Sequence, residues 1–400
     1  MSDTPIAANP IDSEGMARLA DRSRRIIEGI RKTEFAPDVE KKLHMTFPIT
    51  TAAQMVGRTP EGIRKAESEG RLPTPETNEK IRRIGYTLDE INKMRAVFGT
   101  SPYRQPGDPV LTLSVQNFKG GVGKSTVSTH IAQALALKGY RVLVIDCDSQ
   151  ASATTMFGFN PDMDFTEEET LYPFFRHGSD FDLSPYIIET HWPGIHLIPS
   201  NLGLYQAEYE FAARLSQQAA SGVNVFARLR KGIESVKELY DVVIIDPPPA
   251  LGMISIGVLQ AADGLIIPVP PSVVDFASTG HFLEMATETL ETLSRAYGED
   301  RSFEFIRVLA TKVDTGKSAQ GDMLDKMGKV FGQDMMKTFM VESAEIDRAA
   351  RKMCSVLEMT DSGSTHKRCR ENLLDIADEV EGLIRSTWPS ASQKYTRSVA

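Results

Sequence analysis

Apolar residues follow two regimes along this chain, and the change between them comes near residue 105. From Ser13 to Thr33 the positions Met16, Leu19, Ile26, Ile27 and Ile30 recur at roughly helical spacing among Arg and Glu, which predicts an amphipathic helix. Its stripe can pack on its own domain or pair with a second chain. Residues 1–11 are polar and carry proline, and are expected to lack fixed structure. A short helical module follows from Met45 to Gly99, and then SPYRQPGDP (101–109), whose Pro and Gly mark a linker. Beyond it the runs LTLSV (111–115), RVLVID (141–146), GIHLIP (194–199), DVVIID (241–246), GLIIPV (264–269) and FIRVLA (305–310) alternate with amphipathic helical stretches. Strands apolar on both faces and separated by helices predict an α/β fold with a doubly wound, mainly parallel sheet. The expected organisation is therefore 1–44 (extension and helix, a candidate for dimerisation), 45–100 (small helical module), 101–109 (linker) and 110–400 (α/β domain).

Composition narrows the class. The chain has 400 residues, 41% hydrophobic and 25% charged, without a run of about 18 apolar residues or a signal-peptide core near its start. A cytoplasmic protein without membrane attachment is expected. Cys147, Cys354 and Cys369 lack metal-ligand spacing, which argues against a zinc site or a disulfide framework. The net charge of −9 argues against nucleic acid only as an average. Residues 1–105 carry a small excess of Lys and Arg, and the rest holds the acidic excess, so the N-terminal part is the better candidate for touching phosphates.

The strand LTLSV runs directly into Gln116-Asn117-Phe118-Lys119-Gly120-Gly121-Val122-Gly123-Lys124-Ser125-Thr126 and then into a helix. Glycines let backbone N–H groups turn inward around a phosphate, and the helix N-terminus adds positive potential. Lys124 can reach terminal phosphates and Ser125 can place a hydroxyl on Mg²⁺. Phe118 stands where the strict P-loop has its first glycine, and an additional lysine, Lys119, precedes the glycines. Two strand ends carry carboxylates, Asp146-Cys147-Asp148-Ser149-Gln150 and Asp246-Pro247-Pro248-Pro249, and both should face the crevice beyond the strand C-termini.

K-G-G-V-G-K-S-T, D-C-D-S-Q-A-S and V-V-I-I-D-P-P-P together resemble the ParA/MinD group of deviant Walker ATPases over roughly residues 110–310. The resemblance implies ATP and Mg²⁺ as cofactors and a nucleotide cradle of Lys119, Gly120, Gly121, Val122, Gly123, Lys124, Ser125 and Thr126. It implies that Lys119 reaches the partner's nucleotide across a homodimer, that Asp148 orients the hydrolytic water, and that Asp246 holds Mg²⁺ through water. Ser125, Asp148 and Asp246 are the expected metal environment, and Lys119, Lys124 and Asp148 the expected catalytic set. Ser149 departs from the Pro usual in D-x-D-P-Q. Thr311-Lys312 follows a strand at about the place where the family contacts the base; an ordinary strand-end turn fits it equally well.

Within the module, Ile49 to Gly57 and Pro60 to Gly70 read as two helices joined by a tight turn, with Thr59 as N-cap and Pro60 at the first helical position. The second helix presents Thr59, Glu61, Arg64 and Lys65 outward, suited to a major groove. Lys80, Arg82 and Arg83 precede Gly85-Tyr86 as in a basic wing, and Leu88 to Val97 forms a closing helix. The arrangement resembles a MerR-type winged helix-turn-helix; a solvated interaction hairpin has the same pattern. With the ATPase behind it, nearly the whole chain resembles the large plasmid partition ATPases, including RepA of repABC-type replicons. That resemblance implies operator binding and autorepression through the module, nonspecific DNA binding in the ATP state, nucleoid association, and a ParB-type centromere-binding partner. Arg348, Arg351, Lys352, Lys367, Arg368 and Arg370 cluster where relatives hold nonspecific DNA; solvated helix charge explains them equally well. A membrane-cycling MinD-type regulator needs a C-terminal amphipathic helix, which TWPSASQKYTRSVA does not supply. A nucleotide-sensing repressor without a segregation role is the other alternative.

Overall fold

A computed structural model describes residues 12–34, 42–74, 84–101, 104–176, 181–218, 224–361 and 363–391. The N-terminal eleven residues, Lys80, Arg82 and Arg83 of the expected wing, and residues 392–400 lie outside the described residues. The chain divides into two compact units, Met1–Lys42 and Leu43–Ala400. The first contains helix α1 (Ser13–Glu34), whose Met16, Leu19 and Ile26 are exposed.

In the second unit, strand β1 (Thr46–Phe47) leads into α2 (Ile49–Val56) and α3 (Pro60–Ser68). Strand β2 (Tyr86–Thr87) pairs antiparallel with β1 and is followed by α4 (Leu88–Phe98). Local chemistry sets these boundaries. Thr59 accepts the Gly62 N–H at the start of α3, with Pro60 at its first position. Thr87 and Glu90 form a reciprocal capping box at the start of α4. Ala52, Ala53, Val56, Ile63, Ala66, Leu88, Ile91 and Met94 close a small core.

The large domain follows in the order β3 (Leu111–Val115), α5 (Lys124–Leu137), β4 (Val142–Asp146), α6 (Ser152–Met156), α7 (Pro161–Asp164), α8 (Tyr172–Arg176), β5 (Ile188–Glu189) and β6 (Ile195–Ile198). Then come α9 (Leu204–Gln218), α10 (Arg228–Val236), β7 (Val242–Asp246), α11 (Met253–Ala261), β8 (Gly264–Val269), α12 (Val273–Tyr297) and β9 (Phe305–Ala310). Helices α13 (Ser318–Phe331), α14 (Ala344–Ala350) and α15 (Ser364–Ser386) complete it. The seven strands are ordered β5-β6-β4-β7-β3-β8-β9, all parallel except the edge pair β5 and β6. Alternate residues of β4 and β7 feed opposite faces: Val142, Val144, Val242 and Ile244 pack toward one, Leu143, Ile145, Val243 and Ile245 toward the other. The expected doubly wound, mainly parallel sheet is present. Among the described residues no helix is long and apolar enough to cross a membrane.

Two features differ from the sequence expectation. The module's core continues into the face of the sheet covered by α5 and α15, so module and large domain form one body. The segment expected as a linker is pinned at its end. Asp108 is 4% exposed and accepts from Gln105 N–H, Ser390 N–H and the Ser390 hydroxyl, while Trp388 Nε1 donates to the Pro109 carbonyl. Pro and Gly mark a change of direction, and these polar side chains decide that the turn is held down.

His130 ties α5 to the C-terminal segment. The Val356 N–H donates to its Nε2 at 3.2 Å, so Nδ1 carries the proton and donates to the Thr126 carbonyl at 2.7 Å. Burial lowers its pKa from 6.5 to about 4. As pH falls through that window the unfolded chain takes up the proton first, so folding stability should drop by up to roughly 3 kcal/mol. Denaturant titrations at pH 7 and pH 5 should show a loss of roughly 2 kcal/mol in the wild type and a smaller one in His130→Gln. An equal loss in both would assign the pH dependence elsewhere.

Candidate functional site

Strand β3 delivers the chain to the loop 116–123, and the neighbouring strands brace that loop. The Gln116 N–H donates to the Ile266 carbonyl of β8 at 2.8 Å. Asn117 Nδ2 donates to the Pro268 carbonyl at 2.9 Å while its Oδ1 accepts the Lys119 N–H at 3.0 Å. Thr311, fully buried after β9, donates its hydroxyl to the Val122 carbonyl at 2.8 Å. The residue expected near a base is thus a brace for the phosphate loop, and Lys312 beside it adopts φ +54°. Gly121 and Gly123 sit at φ +73° and +100°, and a Cβ on Gly123 would stand 3.1 Å from Met340 Cε. The torsion favours glycine at both positions, and at Gly123 the Met340 side chain would also have to give way to a Cβ.

The two lysines lie at different depths. Lys124, 6% exposed at the first position of α5, donates to the Lys119 carbonyl at 3.1 Å. Burial lowers its pKa, opposed by the charges of Asp246 and Asp148. Lys119 Nζ lies 2.6 Å from Asp275 Oδ1 in the first turn of α12. Asp275 was not singled out in the sequence, because no motif links it to the loop. Gly120, Val122, Ser125 and Thr126 complete the loop and first turn as expected, with Ser125 and Thr126 half-buried.

Strands β4 and β7 run in register, so Asp146 and Asp246 are Cα partners at adjacent strand ends, both fully buried. Asp146 accepts from Thr154 N–H (2.8 Å), the Thr154 hydroxyl (2.7 Å) and Asp148 N–H (3.1 Å), which makes it the anchor of the turn. Burial, reinforced by Asp246, raises its pKa well above the usual carboxylate range. Asp148 is 7% exposed, accepts the Gln150 N–H at 3.0 Å, and its pKa is also raised by burial. The two carboxylates of the D-x-D turn therefore differ: one is spent on structure and the other is left for the crevice.

Burial raises the Asp246 pKa to about 7, against the Ser125 hydroxyl and the Lys124 charge, which favour ionisation. Ser128 donates to Oδ1 at 3.2 Å, but Oδ2 is buried and closes no hydrogen bond of acceptable geometry. A buried carboxylate oxygen that accepts no hydrogen bond among the described residues, beside a serine hydroxyl, fits a hard cation that takes oxygen ligands and keeps its own waters. Ser125 and Asp246 are thus suited to Mg²⁺. Next to Asp148 opens a cavity of about 500 Å³, bounded by Gln150, Tyr205, Glu208, Tyr209, Pro249 and others. Glu208 accepts the N–H groups of Met253 and Ile254 at 2.7 and 3.2 Å, fixing the start of α11 behind the Asp246 loop.

The other charged candidates lie on the surface. Thr59, Glu61, Arg64 and Lys65 are exposed on α3, with Arg64–Glu61 and Lys65–Glu69 both at 3.8 Å. Arg351, Lys352, Lys367 and Arg368 are exposed and Arg370 half-buried, near the junction between α14 and α15. Arg348 is spent on Asp361 at 2.5 Å.

An AAA domain family matches residues 110–297. The chain is 32% identical to the putative replication protein A of Sinorhizobium fredii strain NGR234, covering 89% of each. It is 34% identical to protein SopA of Escherichia coli K12, over 87% of this chain and 91% of that protein. A solved structure described as a partition protein superposes with a TM-score of 0.65 at 21% identity, covering 93% of this chain and 99% of that one, which supports the fold.

The raised pKa of Asp246 has a measurable consequence. Its folded form holds a proton up to about pH 7, whereas the unfolded side chain releases it near 3.8, so stability is lost as pH rises across that interval. Asp246→Asn should therefore raise the melting temperature of the ligand-free protein at pH 8, with the gain shrinking as pH falls toward 4. A gain independent of pH would show that the carboxyl's charge is not what burdens the fold.

Proposed function

The chain belongs to the ParA/RepA-type partition ATPases, and from that premise we propose that it binds ATP with Mg²⁺ and hydrolyses it slowly unless stimulated. The observation that carries this reading is the braced glycine loop opening α5 beside a buried carboxylate oxygen without a donor. Backbone N–H groups of the loop and of the first turn of α5 hold the phosphates, and Lys124 leaves the Lys119 carbonyl to meet their charge. Ser125 and Asp246 hold the metal ion, which when bound neutralises charge on the transferred phosphoryl group. Asp148 orients the attacking water at the edge of the cavity. Lys119 exchanges Asp275 for the nucleotide of a second copy in the ATP-bound dimer.

The same reading assigns two DNA activities. The module represses the chain's own operon through Arg64 and Lys65 on α3, aided by Thr59 and Glu61 and by Lys80, Arg82 and Arg83 of the segment expected as a wing. Support comes from their setting: Arg64 and Lys65 are exposed, with acidic partners 3.8 Å away among the described residues. Arg351, Lys352, Lys367, Arg368 and Arg370 hold nonspecific DNA in the ATP state, which places the protein on the nucleoid in the cytoplasm. A ParB-type centromere-binding protein stimulates turnover and releases that grip.

Lys124→Ala should abolish ATP binding in calorimetry, because it removes the cation that meets the terminal phosphates. Asp148→Ala should keep ATP binding and lower turnover by about 100-fold or more, as expected for a positioned catalytic group. Equal loss of ATP binding in both would make Asp148 structural.

The joint change Arg64→Ala and Lys65→Ala should remove operator binding in gel shifts while ATP binding persists, since each good base contact discriminates by about 1–3 kcal/mol. Nonspecific binding should require ATP and fall steeply with salt as counterions are recovered. Operator binding by a fragment starting at Gly107 would show that the module is not the reader.

A further inference from the structure

Arg95 of α4 is 1% exposed, and its contacts lie on two different parts of the protein. Nη2 donates to the carbonyl of Leu137 at 2.6 Å and of Met55 at 3.4 Å, while Nη1 donates to Asn92 Oδ1 at 2.6 Å. Leu137 is the last residue of α5, and Met55 lies in the last turn of α2. At the end of α5 the carbonyls of Ala134, Leu135 and Ala136 accept backbone N–H groups of residues 138–140. The Leu137 carbonyl accepts Arg95 instead. A guanidinium suits this position, because the C-terminal carbonyls of a helix carry its negative dipole end. Here the C-terminal ends of α2 and α5 share one cation. Space is made by Gly139, where a Cβ would stand 2.8 Å from Arg95 Cδ.

Lys124 and Ser125 of the phosphate loop lie at the opposite end of α5, a continuous helix of 14 residues. That is roughly 20 Å of rigid rod. Twelve of its residues are buried, so it moves, if at all, as one packed piece. We propose that Arg95 is a positioning residue that couples nucleotide binding at the N-terminus of α5 to the seating of the DNA-reading module at its C-terminus. Phosphates engage the loop and first turn, the helix shifts against its neighbours, and the shared cap passes the shift to α2 and α4. Coupling of this kind is reciprocal: whatever factor nucleotide applies to the module's ligand, that ligand applies to nucleotide.

The test uses the full chain with Arg95→Lys, which keeps the charge and loses the planar fork, and Asn92→Ala, which loosens the fork and leaves the guanidinium in place. Hydrogen exchange across residues 49–57 and 88–99 is measured with and without ATPγS and Mg²⁺. In the wild type, nucleotide should change exchange there about fivefold or more, and in both variants by less than about twofold, with ATPγS still bound. Should Arg95→Lys melt the module, seen as a separate low-temperature transition, Asn92→Ala decides. An undiminished response in the variants, or no response in the wild type, overturns the proposal. A second arm rests on the reading that the module binds DNA. It measures anisotropy of a labelled fragment from the promoter region preceding this chain's own coding sequence, again with and without nucleotide. If that fragment is not bound in any state while the exchange response holds, the DNA-reading role falls and the coupling stands. If it is bound equally tightly in every nucleotide state, the coupling falls.

Discussion

Helix α5 has almost no surface of its own, and the architecture is built around that fact. Twelve of its fourteen residues are buried, and the remaining two, Ser125 and Thr126, face the phosphate loop. Its sequence VSTHIAQALAL is rich in small side chains, which lets the sheet and α15 close on it from two directions. Polar residues on the helix are matched from the C-terminal segment: His130 meets Val356 and Gln133 meets Glu358. Interiors pack at crystal-like density, so a shift of this helix has to be accommodated by every neighbour at once. An element that opens at the glycine loop and is encased along its length is well placed to pass a shift at that loop to the rest of the molecule.

Two carboxyl groups are buried side by side in this site, and burial opposes their ionisation. Asp146 and Asp246 lie at adjacent strand ends, and the charge of Asp246 adds to the cost for Asp146. The nearest cations are turned aside, Lys124 to a backbone carbonyl and Lys119 to Asp275. Asp146 is relieved by three donors, whereas Asp246 keeps one oxygen bare. That imbalance costs stability in the free protein and favours whatever brings positive charge to Oδ2. The expense is local, because the turn anchored by Asp146 keeps its geometry whether or not Asp246 is ionised.

The sheet was legible in the sequence because its strands are apolar on both faces. Each of the six runs read as strands lies within a residue of an observed strand, and Asp146 and Asp246 fall at strand ends as expected. The two-residue edge strand β5, Ile188–Glu189, is too short to show a period. The cap of α3 was legible for a different reason: its chemistry is local, with donor and acceptor three residues apart. What the sequence did not disclose is contact across distance. Nothing in it joins Lys119 to Asp275, Thr311 to Val122, or Arg95 to Leu137, because each pair meets only after the sheet has formed. The linker was misjudged for the same reason, since Ser390 and Trp388 hold it from the far end of the chain.

Net charge is a poor guide to where this protein can meet phosphates, because its cations are unequally available. In the module, Arg58 donates to the Phe98 carbonyl and stacks over that ring, and Arg71 pairs with Glu69 at 2.7 Å. Lys93 is held by Asp89 at 2.6 Å, and Arg95 is buried. Arg64 and Lys65 differ, for their acidic neighbours stand 3.8 Å away on exposed helix surface. Exposed pairs of that kind contribute about 0–1 kcal/mol, so a phosphate or base edge can displace them at little cost. The mild basic excess of the N-terminal quarter thus divides into cations that hold the module together and cations presented to solvent on α3. The α3 pair and the exposed Arg351, Lys352, Lys367 and Arg368 are therefore open to a phosphate, despite an overall charge of −9.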